Sequence, residues 1–549
     1  MRMKSSSFRR MIIMATIGVS AAALTGETAS GATNAAVALT QQAAGVKGEA
    51  LAAQEAKLRD NPFIQRFAES RRKMAADPYR PLYHFVSPES SLNDPNGLCF
   101  WNGQWHLFYQ AYPPENRNQH WGHAVSDDLI HWRDLPYAIK PGPENACYSG
   151  STLVESNRVI AMYHGTGQGN MVAISSDPLL LDWEKLTGKP VIPAAGAPCT
   201  IFDPCIWQKD GVYYSLSGGT QPQGPRRPAE FLFKSTDLVK WEYLHPFVEG
   251  DVFSLVGDDG ACPYFWPLGD RHILLHFSHM SGAHYLLGDY DKARDKFVVT
   301  AGGRFTFGAF CPGGVHAPSA TPDGRGGVLV IFNINNAKPT PGWDQIMSLP
   351  RRLTLVGKNG LGVEPAGDIA SLRGAHRHLG ETALPANREL VLEGIQGNAL
   401  EITAELDLRK SPMVELNVLR SPGKEEFTRI AIFKQRGYQN WDRFKDWNKW
   451  FESCDSVVTI DSGYSSELPD VTSRAPESAP VWLASDEPLK LRVFIDKSVV
   501  EVFVNGRQCV ATRVYPGRAD SLGVSLRAQG SDAVLKQLDA WTMKSIYTK

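Results

Sequence analysis

Asn93-Asp94-Pro95-Asn96-Gly97, followed by Leu98-Cys99-Phe100-Trp101-Asn102-Gly103-Gln104-Trp105-His106-Leu107-Phe108-Tyr109-Gln110, sets one carboxylate inside a turn-forming frame ahead of two aromatic-rich strands. Asn, Asp, Pro and Gly each favour turns for a separate reason, so four of them around Asp94 fix its backbone. An ordinary hairpin entry would use the same residue types. Asn102-Gly103 between the two runs is a two-residue hairpin signal. From about residue 82 to 372, short aromatic or β-branched runs alternate with Gly, Pro, Asn and Asp, with no long helical period. That pattern is all-β, and a propeller or a sandwich would both satisfy it. The stretch 385–549 alternates again, as in Val499-Val500-Glu501-Val502-Phe503-Val504 before the Asn505-Gly506 turn.

At 549 residues the chain is too long for one core, and two domains plus an export segment are expected. With 57 basic and 58 acidic residues the net charge is −1, which gives no footprint for nucleic acid or a polyanionic substrate. A neutral ligand fits better. The 14 Trp, 17 Tyr and 24 Phe supply flat apolar faces of the kind sugars stack on, and equally supply core.

Arg2, Lys4, Arg9 and Arg10 precede an apolar run over 11–24, which reads as an export signal within 1–38 and a secreted or periplasmic destination. That run is too short to span a bilayer as a mature helix, so no membrane association is expected once it is removed. The Arg9-Arg10 pair matches a twin-arginine signal, and paired arginines also occur in ordinary ones. Residues 39–81 read as a helical linker, its period ended by Pro78 and Pro81. The eight cysteines have no Cys-x-x-Cys pair and no histidine partner, so neither a metal site nor any disulfide is assigned.

The opening motif, together with Trp121-Gly122-His123, Tyr148-Ser149-Gly150-Ser151, Phe202-Asp203-Pro204, Cys262-Pro263 and the segment from Leu491 to Asn505, resembles glycoside hydrolase family 32, the β-fructosidases. The resemblance implies a five-bladed β-propeller over 82–372 with its site at one end of the central channel, a C-terminal β-sandwich over 385–549, and no cofactor. It implies a sugar or fructan substrate, with Asp94 as nucleophile and Asp203 as transition-state stabiliser. Asn93, Gln110, Trp121 and Ser149 would contact the substrate.

The sequence departs from that pattern twice. Phe202 stands where the family has Arg, and Ala261, in Gly257-Asp258-Asp259-Gly260-Ala261-Cys262-Pro263, stands where it has the glutamate that serves as general acid. Retaining hydrolysis needs a carboxylate and a proton donor about 5 Å apart, and alanine has no proton to give. On a regular strand Asp259 would share the face of Ala261, displaced by about 6 to 7 Å, which makes it the expected replacement acid. Asp258 stands behind it, and His276, His279 and His284 follow; a surface Asp-Asp-Gly turn is the plain alternative. Two function classes therefore stand: a β-fructosidic hydrolase, or transferase, for these or other furanosides, and a carbohydrate-binding protein that has lost its acid. A further segment, 438–451, sets six aromatic residues among charges and reads as an interdomain cover or a sugar-binding platform.

Overall fold

The computed structural model describes residues 48–221 and 223–547, so the expected signal and the start of the linker lie outside the described residues. Two helices, Gly48–Arg59 and Pro62–Met74, come first. Asn61 caps the second by accepting from the Phe63 N–H, with Pro62 at the position that needs no donor. Phe63 and Phe67 pack edge-on against Tyr137, and Arg71 grips Asp134 with two hydrogen bonds of 2.6 and 2.7 Å, which docks this helix on the first sheet.

Five sheets follow, built by antiparallel strands running up and down in sequence order, with the short strand Val248–Glu249 added in parallel to Lys296–Arg304 at the edge of the fourth. The first comprises Leu92–Trp101, Gln104–Ala111, His120–Ser126 and Arg133–Ile139. Its hairpin turns at Asn102 and Gly103, with φ of 48° and 84°, the backbone that a type I′ turn demands. The opening strands of the five sheets touch in a ring: Leu92–Trp101, Cys147–Val154, Pro204–Lys209, Ala261–Leu268, Val315–Pro322 and back to the first. This closed ring is a five-bladed propeller, and the aromatic content fills the wedges between blades, as where Trp207, Phe247, Phe265 and Phe297 pack on one another.

Beyond the fifth blade, a seven-stranded and a six-stranded sheet face each other as a sandwich. Leu400, Ile402, Ala404 and Leu406, two residues apart on Ala399–Asp407, all enter its core. The strands Arg373–Leu379 and Thr382–Leu384 pair with Ala533–Met543, so the sandwich begins ahead of the expected residue 385. Residues 374–378 are exposed and show no alternation; only pairing with the far end of the chain makes this segment a strand.

A buried ionic cluster ties propeller to sandwich. Asp496 accepts the backbone N–H groups of Leu82, Tyr83 and His84, and the His84 ring lies between Asp496 (2.9 Å) and Glu501 (3.1 Å). Glu501 also accepts from Arg351 (2.8 Å) and from the Leu349 N–H. Burial pushes the His84 imidazole down, but hydrogen bonds and charge from Asp496 and Glu501 overcome it and raise it from 6.5 to about 9. Burial likewise opposes the Glu501 charge, while Arg351 and His84 lower its carboxyl from 4.5 to about 2. A raised histidine stabilises fully below its unfolded value and loses that contribution as pH rises through its folded one; a lowered carboxylate does the reverse. The urea midpoint is therefore expected to be highest from about pH 5 to 6.5, falling as pH climbs through 9 and as it drops through 2; in Glu501→Gln both arms flatten.

The 438–451 segment is not an interdomain cover. Tyr438, Trp441, Trp447 and Trp450 face solvent, Tyr438 at 88%, because Trp441, Phe444 and Trp447 pack on one another and Arg443 stacks on Trp482 of the same sandwich.

Candidate active site

Four of the five innermost strands break register near their starts, between Leu92 and Pro95, Cys147 and Gly150, Ala261 and Tyr264, and Val315 and Pro318. Such bulges re-aim side chains, and here they turn Asp94, Ser149, Cys262 and His316 toward one another. Asp203 joins them from the residue before Pro204–Lys209. Cys262 reaches its place through a φ of 49°, a left-handed backbone that is strained for cysteine.

Asp94 is buried, and its two oxygens have different duties. Oδ2 accepts from the Ser149 hydroxyl (2.6 Å) and the Gln110 amide (3.1 Å), and Gln110 also donates to Ser149 (2.8 Å). Oδ1 accepts no well-formed hydrogen bond, though His316 Nδ1 lies 3.1 Å from it. Burial works against the charge on Asp94, but His316, Ser149 and the more distant His279 together hold its carboxyl below the ordinary value. Asn333 orients His316, lying 3.1 Å from Nδ1, and also donates to Asn93.

Asp203 is the opposite case. Its Oδ2 accepts from the Cys262 N–H (3.0 Å), but burial first and the neighbouring Asp94 charge second push its carboxyl up to about 7. The Cys262 thiol bridges the pair, 3.4 Å from Asp203 Oδ2 and 3.6 Å from Asp94 Oδ2. Two carboxylates with divided titrations across one thiol suit paired roles at a single reacting centre.

Of the other expected residues, Gln110 and Ser149 join Asp94, and half-buried Asn93 sits at their edge. Trp121 does not reach the pocket. It is 0% exposed, packs against Phe108 and Tyr163, and spends its indole N–H on the Tyr148 carbonyl, so it is core rather than a stacking face for sugar. The strand starts at Ala261, which leaves Asp258 and Asp259 on the preceding loop, where strand alternation does not apply. Asp258 turns inward, accepting from Ser281 and the Leu255 N–H. Asp259 turns outward to the His279 ring, 2.8 Å from Nδ1, and accepts from the His279 N–H and from Arg226. Ala261 lies in an apolar nest with Phe277 and Ala317, against which Phe202 and Phe310 pack, so both departures fall in one apolar cluster. His316 and the Cys262 bridge were invisible as chemistry in the sequence; Cys262-Pro263 registered only as a family marker.

Known proteins share this architecture. The model described as "Glycosyl hydrolases family 32 N-terminal domain" matches residues 84–365, and that described as "Glycosyl hydrolases family 32 C terminal" matches 368–542. The chain is 27% identical over 512 residues to a levanase of Bacillus subtilis (strain 168), covering 85% of this chain and 71% of that protein. It is 28% identical over 559 residues to a fructan 6-exohydrolase of Beta vulgaris, covering 85% and 87%. The solved structure of fructan 1-exohydrolase IIa from Cichorium intybus superposes with a TM-score of 0.74 at 23% identity, over 85% of this chain and 98% of that one, which shows a shared fold.

Proposed function

The chain belongs to glycoside hydrolase family 32, and from that premise we propose that it is an exported hydrolase that cleaves β-fructosidic bonds in sucrose or fructans with retention of configuration. The observation that carries this reading is the Asp94–Cys262–Asp203 bridge, which sets a charged carboxylate with one free oxygen beside a second carboxylate of higher affinity for protons.

Asp94 Oδ1 attacks the anomeric carbon, while Ser149 and Gln110 hold Oδ2 and thereby aim the other oxygen. Asp203 accepts from sugar hydroxyls, and these hydrogen bonds strengthen as positive charge develops on the ring. Asn93 reaches the same sugar from the rim. Water then attacks the covalent fructosyl–Asp94 ester; a second sugar in place of water would give transfer.

The rival reading, a carbohydrate-binding protein without turnover, is favoured by one observation, the apolar nest around Ala261. Sugar release from sucrose, inulin, levan and a panel of other furanosides separates the two. We expect fructose from at least one fructoside, and a β-methyl fructoside when methanol competes with water. A folded protein that binds sugar and releases none from the whole panel establishes the binding reading, and an α-methyl product overturns retention.

A further inference from the structure

Ala261 leaves the proton donor unassigned, and the surrounding fold offers a replacement that uses no carboxylic acid. Ala261 pairs across the strand with Phe277. Two residues beyond that pair, Asp259 stands opposite His279, at the turn between Arg271–Ser278 and Gly282–Asp291. Asp259 takes both the His279 backbone N–H (3.2 Å) and the ring Nδ1 (2.8 Å), so backbone and ring are fixed by one carboxylate and, among the described residues, Nε2 has no hydrogen-bond partner. The His279 side chain is 55% exposed, and its ring centre lies 6.5 Å from that of His316, whose Nδ1 is 3.1 Å from Asp94 Oδ1.

On the reading of the site as a retaining β-fructosidase, we propose that His279, positioned by Asp259, is the acid/base residue of this protein. As Asp94 Oδ1 bonds to the anomeric carbon, that carbon's bond to the glycosidic oxygen breaks, and the Nε2 proton passes to the departing oxygen. The neutral imidazole then takes a proton from the water that attacks the anomeric carbon, restoring imidazolium, and Asp94 leaves as carboxylate. Asp259 thus acts through His279 rather than on the substrate.

The charge environment agrees. The Asp259 hydrogen bond raises the His279 imidazole above its ordinary value, burial opposes this, and the charges of Asp259, Asp94 and Asp203 add to the rise. The groups facing His279 are those three carboxylates, His316, and Arg226 behind Asp259. Other candidates point elsewhere. Asp258 is tied to Ser281 and Leu255. His284 is pushed down to about 3 by burial and His276, and His276 is itself buried with both ring nitrogens unpaired. Glu230, raised to about 8 by burial and Asp251, is buried against Gly260, and neither Asp94 nor Asp203 is among the charges acting on it.

The test uses the full-length protein, its His279→Gln and Asp259→Asn variants, and two substrates: sucrose, whose leaving group needs a proton, and 4-nitrophenyl β-fructofuranoside, whose leaving group does not. We expect His279→Gln to lose about 10³-fold in kcat/KM on sucrose but less than about tenfold on the aryl fructoside. The alkaline limb of the wild-type pH profile should vanish in His279→Gln and move to lower pH in Asp259→Asn, because that variant removes the charge that raises the imidazole. Equal losses on both substrates, or an alkaline limb that stays in place in both variants, overturns the assignment while leaving the hydrolase reading intact. A wild-type protein that turns over neither substrate, nor any other furanoside, overturns both.

Discussion

Asp94→Asn is expected to abolish turnover of every fructoside the protein accepts, lowering kcat/KM by on the order of 10⁵-fold, the scale seen when a hydrolase loses its nucleophile. The loss should be chemical and not structural. Asparagine can keep its carbonyl oxygen toward Ser149 and Gln110, where Oδ2 now accepts both hydrogen bonds, and turn its amide toward the His316 ring. The variant should therefore fold with a wild-type circular dichroism spectrum and still bind sugar, while a slow aryl substrate leaves no covalent adduct visible by intact-protein mass spectrometry. Asp94→Ala, which opens space beside the Ser149 hydroxyl, should recover part of the aryl-fructoside rate with added azide and yield a glycosyl azide of inverted configuration. A folded Asp94→Asn protein that retains more than about a hundredth of wild-type activity would remove Asp94 from the nucleophile's role.

Glu501→Ala should give the largest stability loss of any single change, about 3 to 5 kcal/mol, because it strips the partner from a wholly buried charge. Arg351 and Glu501 are both 0% exposed, and two of the Arg351 nitrogens already lack partners, so the guanidinium has no alternative acceptor within reach. The same change orphans the Leu349 N–H and one side of the His84 ring. Because a chain with two cores need not unfold in one step, the readout is the urea midpoint of its first transition, together with the hydrogen exchange of residues 82–84 and 349–351. Replacing both partners, Arg351→Met with Glu501→Leu, should recover much of the loss, since well-packed apolar groups avoid the desolvation cost altogether. A Glu501→Ala midpoint within about 0.5 kcal/mol of wild type would show that this cluster does not hold the two parts together.

Legibility of the site followed the range of the interactions. Asp94 could be read because its frame is local: the turn chemistry of Asn93 to Gly97 acts within five residues. Asp203 could be placed only through a family pattern, since an Asp-Pro turn by itself says nothing of what faces it. The family pattern puts Trp121 at the sugar, but an aromatic side chain on a strand can face either way, and neighbours at Phe108 and Tyr163 seat it in the core. Asp259 was chosen by strand alternation, whereas its backbone is a loop between two glycines of positive φ, Gly257 and Gly260, and the loop turned its carboxylate onto His279.

What the sequence determined by itself was the strand-and-turn rhythm, the two-part division, the neutral charge balance that suits a sugar, and the absence of an acid at position 261, because each depends on composition or on near neighbours along the chain. The tertiary structure decided the remainder: the Cys262 bridge between Asp94 and Asp203, the His316 contact, the Asp259–His279 pair and the His84–Asp496–Glu501–Arg351 seam. These contacts join residues on different blades, on facing strands or on the two halves of the molecule. Closing the ring of five blades and docking the sandwich on it sets both their distances and their burial, and the partners each buried carboxylate finds divide the titrations of Asp94 and Asp203.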